Sequence, residues 1–151
     1  MFRKPRRNFI SSYYKPQIVS GLYNLSFGSF GFVGLGSSFL TKKQMESVRL
    51  LVTRVVRRRR FVPGFATKRR GWMKFNVLYN IAITKKGSKS RMGKGKGSIS
   101  EYVYMMNKHQ CFLELKDVPL ITCYNLLKKI RYKLGVRIAL ISKRKQIFYV
   151  K

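Results

Sequence analysis

The sequence predicts an α+β domain: two helices packed on a mainly antiparallel sheet, preceded by an extended basic tail. Three observations carry this expectation. Two segments repeat apolar residues at the helical period, and several shorter ones alternate at the strand period. The length of 151 residues with 45% hydrophobic content is enough for one domain with a real core and no more.

Residues 1–21 read as the tail. Arg3, Lys4, Arg6, Arg7 and Lys15 alternate there with Phe2, Phe9, Tyr13 and Tyr14, and Pro5 and Pro16 hold the chain open. Residues 22–151 form the expected single domain. It starts with SFGSFG, a local repeat at 26–31, whose glycines predict turns or a strand with close backbone approach.

Thr41 to Gln44 is a capping box, with Leu40 and Met45 placed for a hydrophobic staple. Met45, Val48, Leu51, Val52, Val55 and Val56 then share a helix face about 140° wide. Arg57 to Arg60 put cations at the helix C-terminus, where the dipole favours them. Pro63, Gly64 and Gly71 predict a loop over 61–73.

Strict alternation over KFNVLYNIAIT predicts a strand from 74 to 84, with Phe75, Val77, Tyr79, Ile81 and Ile83 on one side. Residues 85–98 are a Lys-Gly-Ser loop. Strands are expected over 99–106 and 111–115. Asp117-Val118-Pro119 opens the second helix, whose apolar face is Cys123, Leu126, Leu127, Ile130 and Leu134. Gly135 stops it. Residues 136–142 and 146–150 predict a hairpin or edge-strand pair around Lys143-Arg144-Lys145.

Charge narrows the function. There are 34 Lys and Arg against Glu46, Glu101, Glu114 and Asp117, a net charge of +30, about one uncompensated cation every five residues. Such a chain repels itself unless a polyanion neutralises it. That excludes a free-standing enzyme for a neutral metabolite and points to nucleic acid or an acidic membrane surface. Gln17 to Leu40 is uncharged and long enough to span a bilayer, but its Gly, Ser and Asn content disfavours a spanning helix, so no membrane insertion is expected. The acid-free, Arg-rich N-terminus has a transit-peptide composition, yet its prolines spoil the amphipathic helix such a peptide needs.

Cys111, Cys123 and the single His109 have no metal-ligand spacing, so no metal or other cofactor is expected. The four acids lie in strands or at helix starts, where capping or ion pairing accounts for them. With no nucleophile pattern beside His109, no catalytic residue and no enzyme activity is expected.

The most distinctive segment is Arg91-Met92-Gly93-Lys94-Gly95-Lys96-Gly97. Glycines without Cβ let backbone approach a phosphate or ribose closely, while the lysines supply point charges. It lacks the GxxxxGK[ST] order of a nucleotide P-loop. The cation runs are Arg3 to Arg7, Arg57-Arg58-Arg59-Arg60, Lys68-Arg69-Arg70, 85–96 and 128–145. Their spread over the chain, with Arg54 on the charged face of the first helix, argues for burial in RNA. Phe2, Phe9, Tyr13, Tyr14 and Trp72 stand outside the periodic segments and are candidates to stack on bases.

Taken in order, SFGSFG, LTKKQMESVR, RMGKGKG and FLELKDVP followed by a helix with KLG near its end resemble the L-sixteen family of bacterial and organellar large-subunit ribosomal proteins. The resemblance covers roughly residues 1–142. It implies an α/β-hammerhead-type domain bound to large-subunit rRNA near the A site, among neighbouring ribosomal proteins and without homo-oligomers. The 91–97 loop would point toward the peptidyl transferase region and A-site tRNA, the tail at 3–15 would thread into rRNA, and catalysis would belong to the RNA. Three departures stand out: the extra loop at 61–73, KFNVLYN in place of an aromatic-Ile-Arg strand with Phe-Pro-Asp, and Gly87 in place of a proline.

Abundant Phe, Tyr, Ile and Lys with three Ala indicates an AT-rich coding sequence. An organelle-encoded protein is expected, mitochondrial in preference to plastid or bacterial. Two alternatives remain: a non-ribosomal RNA chaperone, which would keep an uncharged back face, and a membrane-associated basic protein, which would bind liposomes after nuclease treatment.

Overall fold

The computed structural model describes residues 25–57, 71–87, 91, 93, 95–143 and 147–148. The expected tail at 1–21 and residues 58–70 of the arginine run and following loop lie outside the described residues.

Among the described residues, eight strands and two helices follow in the order β1 (Phe30–Gly34), β2 (Ser38–Thr41), α1 (Lys42–Arg57), β3 (Trp72–Phe75), β4 (Ile81–Lys85), β5 (Ser98–Met106), β6 (Cys111–Lys116), α2 (Leu120–Leu134), β7 (Ile138–Ser142) and β8 (Ile147–Phe148). The fold class is α+β, as expected. The strands divide over two sheets, however, a five-stranded one in the order β3-β6-β1-β7-β8 and a three-stranded one in the order β2-β5-β4. All pairings are antiparallel.

The expected single strand over 74–84 is the place where the sheets part. Trp72 and Met73, expected in a loop, instead begin β3 and pair with Lys116 and Leu115. The chain then leaves the larger sheet at 76–80 and enters the smaller one as β4. Side-chain alternation persists through the gap: Val77 and Tyr79 pack on the core while Leu78 is 69% exposed. Alternation reports which side is buried, not whether a neighbouring strand pairs with the backbone. The chain also crosses between the sheets at the β5–β6 corner, where His109 N–H donates to Gly34 O at 2.8 Å, and at the β1–β2 connection, where Leu35 N–H donates to Arg137 O at 3.0 Å just ahead of β7.

The helices form where their local signals lie. Thr41 N–H donates to Gln44 Oε1 at 2.9 Å, and Gln44 N–H donates to Thr41 Oγ1 at 3.3 Å, the reciprocal pair of a capping box. Leu40 and Met45 are both buried in the core. Val48 and Val52 are fully buried, while Leu51, Val55 and Val56 flank them. The buried residues of α2 are Cys123, Leu126, Leu127, Ile130 and Leu134. Pro119 is its N-cap, and Gly135 takes the left-handed conformation at φ 61°, donating to Arg131 O at 2.7 Å. α1 and α2 pack on each other and, with Phe32, Leu113, Leu115 and Leu140 from the larger sheet, enclose one core.

Candidate nucleic-acid interface

The expected Gly-Lys loop connects β4 to β5, a hairpin of the smaller sheet. Its base is tightly built. A Cβ on Gly97 would lie 2.6 Å from the Lys85 carbonyl carbon and oxygen and 2.7 Å from Lys86 N, all backbone atoms that cannot turn away. Lys86 Nζ donates to Gly93 O at 2.7 Å, tying the outgoing limb to the returning one.

Between the limbs is an open cleft of about 290 Å³. Among the described residues lining it, four are cations, Lys85, Lys86, Arg91 and Lys96, and none is acidic. Gly93 and Gly95 line it too, and around each of them a Cβ would meet nothing within 4 Å. Packing against the described residues therefore does not require glycine at 93 or 95. What glycine provides there is bare backbone on the side facing outward, beside cations whose mutual repulsion an anion would relieve.

Of the residues expected in this loop, Arg91, Gly93, Gly95, Lys96 and Gly97 come together on the cleft, while Met92 and Lys94 lie outside the described residues. Lys85 and Lys86, from the 85–96 cation run, and Ser98, from the same Lys-Gly-Ser loop, join them. Arg54 is exposed on α1 and does not line the cleft. Arg57 ends that helix. Arg3, Lys4, Arg6, Arg7, Lys15, Arg58, Arg59, Arg60, Lys68, Arg69 and Arg70 lie outside the described residues. Trp72 is 62% exposed at the start of the edge strand β3.

Two of the four acids, Glu46 and Glu114, have structural partners among the described residues. Glu46 forms an exposed ion pair with Arg49 at 2.7 Å. Glu114, expected to be explained by capping or ion pairing, does neither. It is 1% exposed and accepts from Phe27 N–H at 2.7 Å, Gly28 N–H at 2.9 Å, Asn76 Nδ2 at 3.0 Å and Ser26 Oγ at 3.2 Å. Burial pushes its carboxyl pKa up, but the Gly28 and Phe27 amides, helped by Asn76 and Ser26, outweigh that and hold it below the ordinary value. Gly28 is the close approach anticipated in SFGSFG: a Cβ would lie 2.5 Å from Leu115 O. Asp117 sits two residues ahead of the N-cap at φ 58°, outside the first turn of α2. Burial pushes the thiols of Cys111 and Cys123 up to about 12, so neither is a poised nucleophile. No helix among the described residues is long and apolar enough to cross a membrane.

Comparison with known proteins adds an independent line. Residues 2–141 match the family described as Ribosomal protein L16p/L10e. The chain is 26% identical over 141 residues to large ribosomal subunit protein uL16c of Euglena longa, covering 93% of this chain and 98% of the relative. It is 30% identical to uL16c of Emiliania huxleyi, covering 94% and 91%. To uL16 of Porphyromonas gingivalis strain W83 it is 35% identical over 112 residues, covering 74% and 70%. The matched span coincides with the one over which the four motifs keep their order. The chain therefore belongs to the Ribosomal protein L16p/L10e family, the large-subunit ribosomal proteins that its motifs resemble.

Proposed function

We propose that this protein is a structural, non-enzymatic constituent of the large ribosomal subunit that binds large-subunit rRNA and presents its Gly-Lys loop to the A-site tRNA path near the peptidyl transferase centre. The observation that carries the reading is the β4–β5 cleft, with four cations, no described acid, and two glycines that packing against the described residues does not require. Phosphate and ribose are the chemistry such a surface accommodates: backbone can come into contact, and each lysine neutralises a charge. The resemblance supplies the location on the ribosome, with residues 22–151 as one domain among neighbouring ribosomal proteins and residues 1–21 as a tail threaded into rRNA. Arg54, Arg57 to Arg60 and Lys68 to Arg70 are further phosphate contacts in this reading.

Relatives named for plastid and bacterial ribosomes favour an organellar or bacterial ribosome. Within that range the AT-rich composition favours a mitochondrial, organelle-encoded protein.

The test is sedimentation of a native lysate through a high-salt gradient, with the protein followed by mass spectrometry. Co-migration with the large subunit, abolished by RNase, is the expected result. Recovery at the top of the gradient would favour the free RNA chaperone, and recovery with membranes the membrane-associated protein. The loop has its own test. Lys94→Ala with Lys96→Ala should lower the salt slope of rRNA binding by roughly one unit for each phosphate no longer neutralised. An unchanged slope would remove the loop from the phosphate interface.

A further inference from the structure

The outward face of α2 has no explanation in the fold. Cys123, Leu126, Leu127, Ile130 and Leu134 hold the helix to the core. Diametrically opposite run Ile121, Asn125, Lys128 and Tyr132, at the i, i+4, i+7, i+11 spacing of a single ridge. Ile121 is 77% and Tyr132 88% exposed. Lys128 Nζ lies 5.0 Å from the centroid of the Tyr124 ring, and Lys129 and Lys133 are exposed beside the ridge. The 15 residues of α2 contain no acid. Lys133 in the last turn complements the helix dipole, but Lys128 and Lys129 lie a turn too early for that.

We propose that this ridge is a second RNA-contact surface, separate from the Gly-Lys cleft, on which Tyr132 stacks against an unpaired rRNA base while Lys128 and Lys129 neutralise flanking phosphates. The proposal rests on the reading of the chain as an rRNA-binding protein. An apolar protein partner is the competing occupant, and the spacing disfavours it. Ile121 and Tyr132 are 11 residues apart, about 16 Å along the axis, with Lys128 between them, so they cannot merge into one apolar patch. An acid-free row of cations around an exposed aromatic ring suits a polyanion whose bases have π-faces.

The test uses the full-length chain and large-subunit rRNA, with excess unrelated RNA, in filter binding across a salt series. Tyr132→Phe should bind as the wild type does. Tyr132→Ala and Tyr132→Leu should each bind roughly fivefold or more weakly, because both lack a ring to stack. Lys128→Gln with Lys129→Gln should lower the salt slope by about 1.4 to 1.8. Wild-type affinity in Tyr132→Leu would mean that apolar contact suffices and would overturn the stacking assignment. An unchanged slope in the lysine pair would overturn the phosphate assignment. If these variants match a wild type that binds rRNA, the ridge alone fails; if the wild type does not bind rRNA, the functional reading fails with it. Circular dichroism checks that the variants are folded, and all three side chains are outside the core.

Discussion

Glu114→Gln tests whether a carboxylate, and not merely a polar group, holds the segment around Phe27 and Gly28 against the larger sheet. Both backbone amides donate to the same oxygen, Oε2, while Asn76 and Ser26 donate to Oε1. Glutamine keeps one acceptor and replaces the other by an NH₂ group. In one orientation that group faces the two amides, and in the other it faces the Asn76 Nδ2 donor. Two charge-assisted hydrogen bonds at about 1.5 kcal/mol each put the cost near 3 kcal/mol. For a chain of this length that lowers the melting temperature by about 6–12 °C.

The pH dependence gives an independent sign. The folded carboxyl has a pKa below its ordinary value of 4.5. Its contribution is therefore fully present above about pH 4.5 and is lost as pH falls through the lower folded value. The difference between wild type and Glu114→Gln should be constant from neutral pH to about 5.5 and shrink below 4.5. Far-UV circular dichroism in moderate salt, which screens the +30 charge, is the assay. Fluorescence is a poor probe, because the single Trp72 is already 62% exposed. A stability change under about 0.5 kcal/mol, or a difference that grows in acid, would refute the account of the buried carboxylate.

Three further outcomes follow from the geometry. Gly97→Ala should destabilise the β4–β5 hairpin by about 1–3 kcal/mol through its backbone clash, whereas Gly95→Ala should change stability by less than about 0.5 kcal/mol and still weaken RNA binding; equal thermal effects would contradict the distinction. Thr41→Ala removes the acceptor for Gln44 N–H and should cost about 0.5–2 kcal/mol in chemical denaturation, so a neutral result would deny the capping box its role. Cys111 and Cys123, with thiols pushed up to about 12 chiefly by burial, should alkylate at pH 8 roughly a hundredfold or more slowly in the folded protein than in urea, and comparable rates would show the burial to be wrong.

Much of this protein is determined by short-range pattern. The capping box, both apolar helix faces and the Gly135 stop were legible because each is complete within a few turns of chain. Charge alone narrowed the partner to a polyanion, nucleic acid or an acidic membrane surface, and the Gly-Lys loop stood out by its spacing. Tertiary structure decided the rest. Whether 74–84 is one strand or two depends on which strands lie beside it. Side-chain alternation runs unbroken from Phe75 to Ile81 in either case and breaks only at the Ile83/Thr84 bulge, where Thr84 is buried in place of the expected Ile83. The partners of Glu114 lie as far as 88 residues away in sequence, so no local pattern names them. Likewise, Gly97 is needed by a neighbouring backbone while Gly93 and Gly95 are not, though all three look alike in RMGKGKG. Periodicity and composition act through nearest neighbours and total charge; sheet membership, buried hydrogen bonds and close backbone approach exist only once distant segments meet.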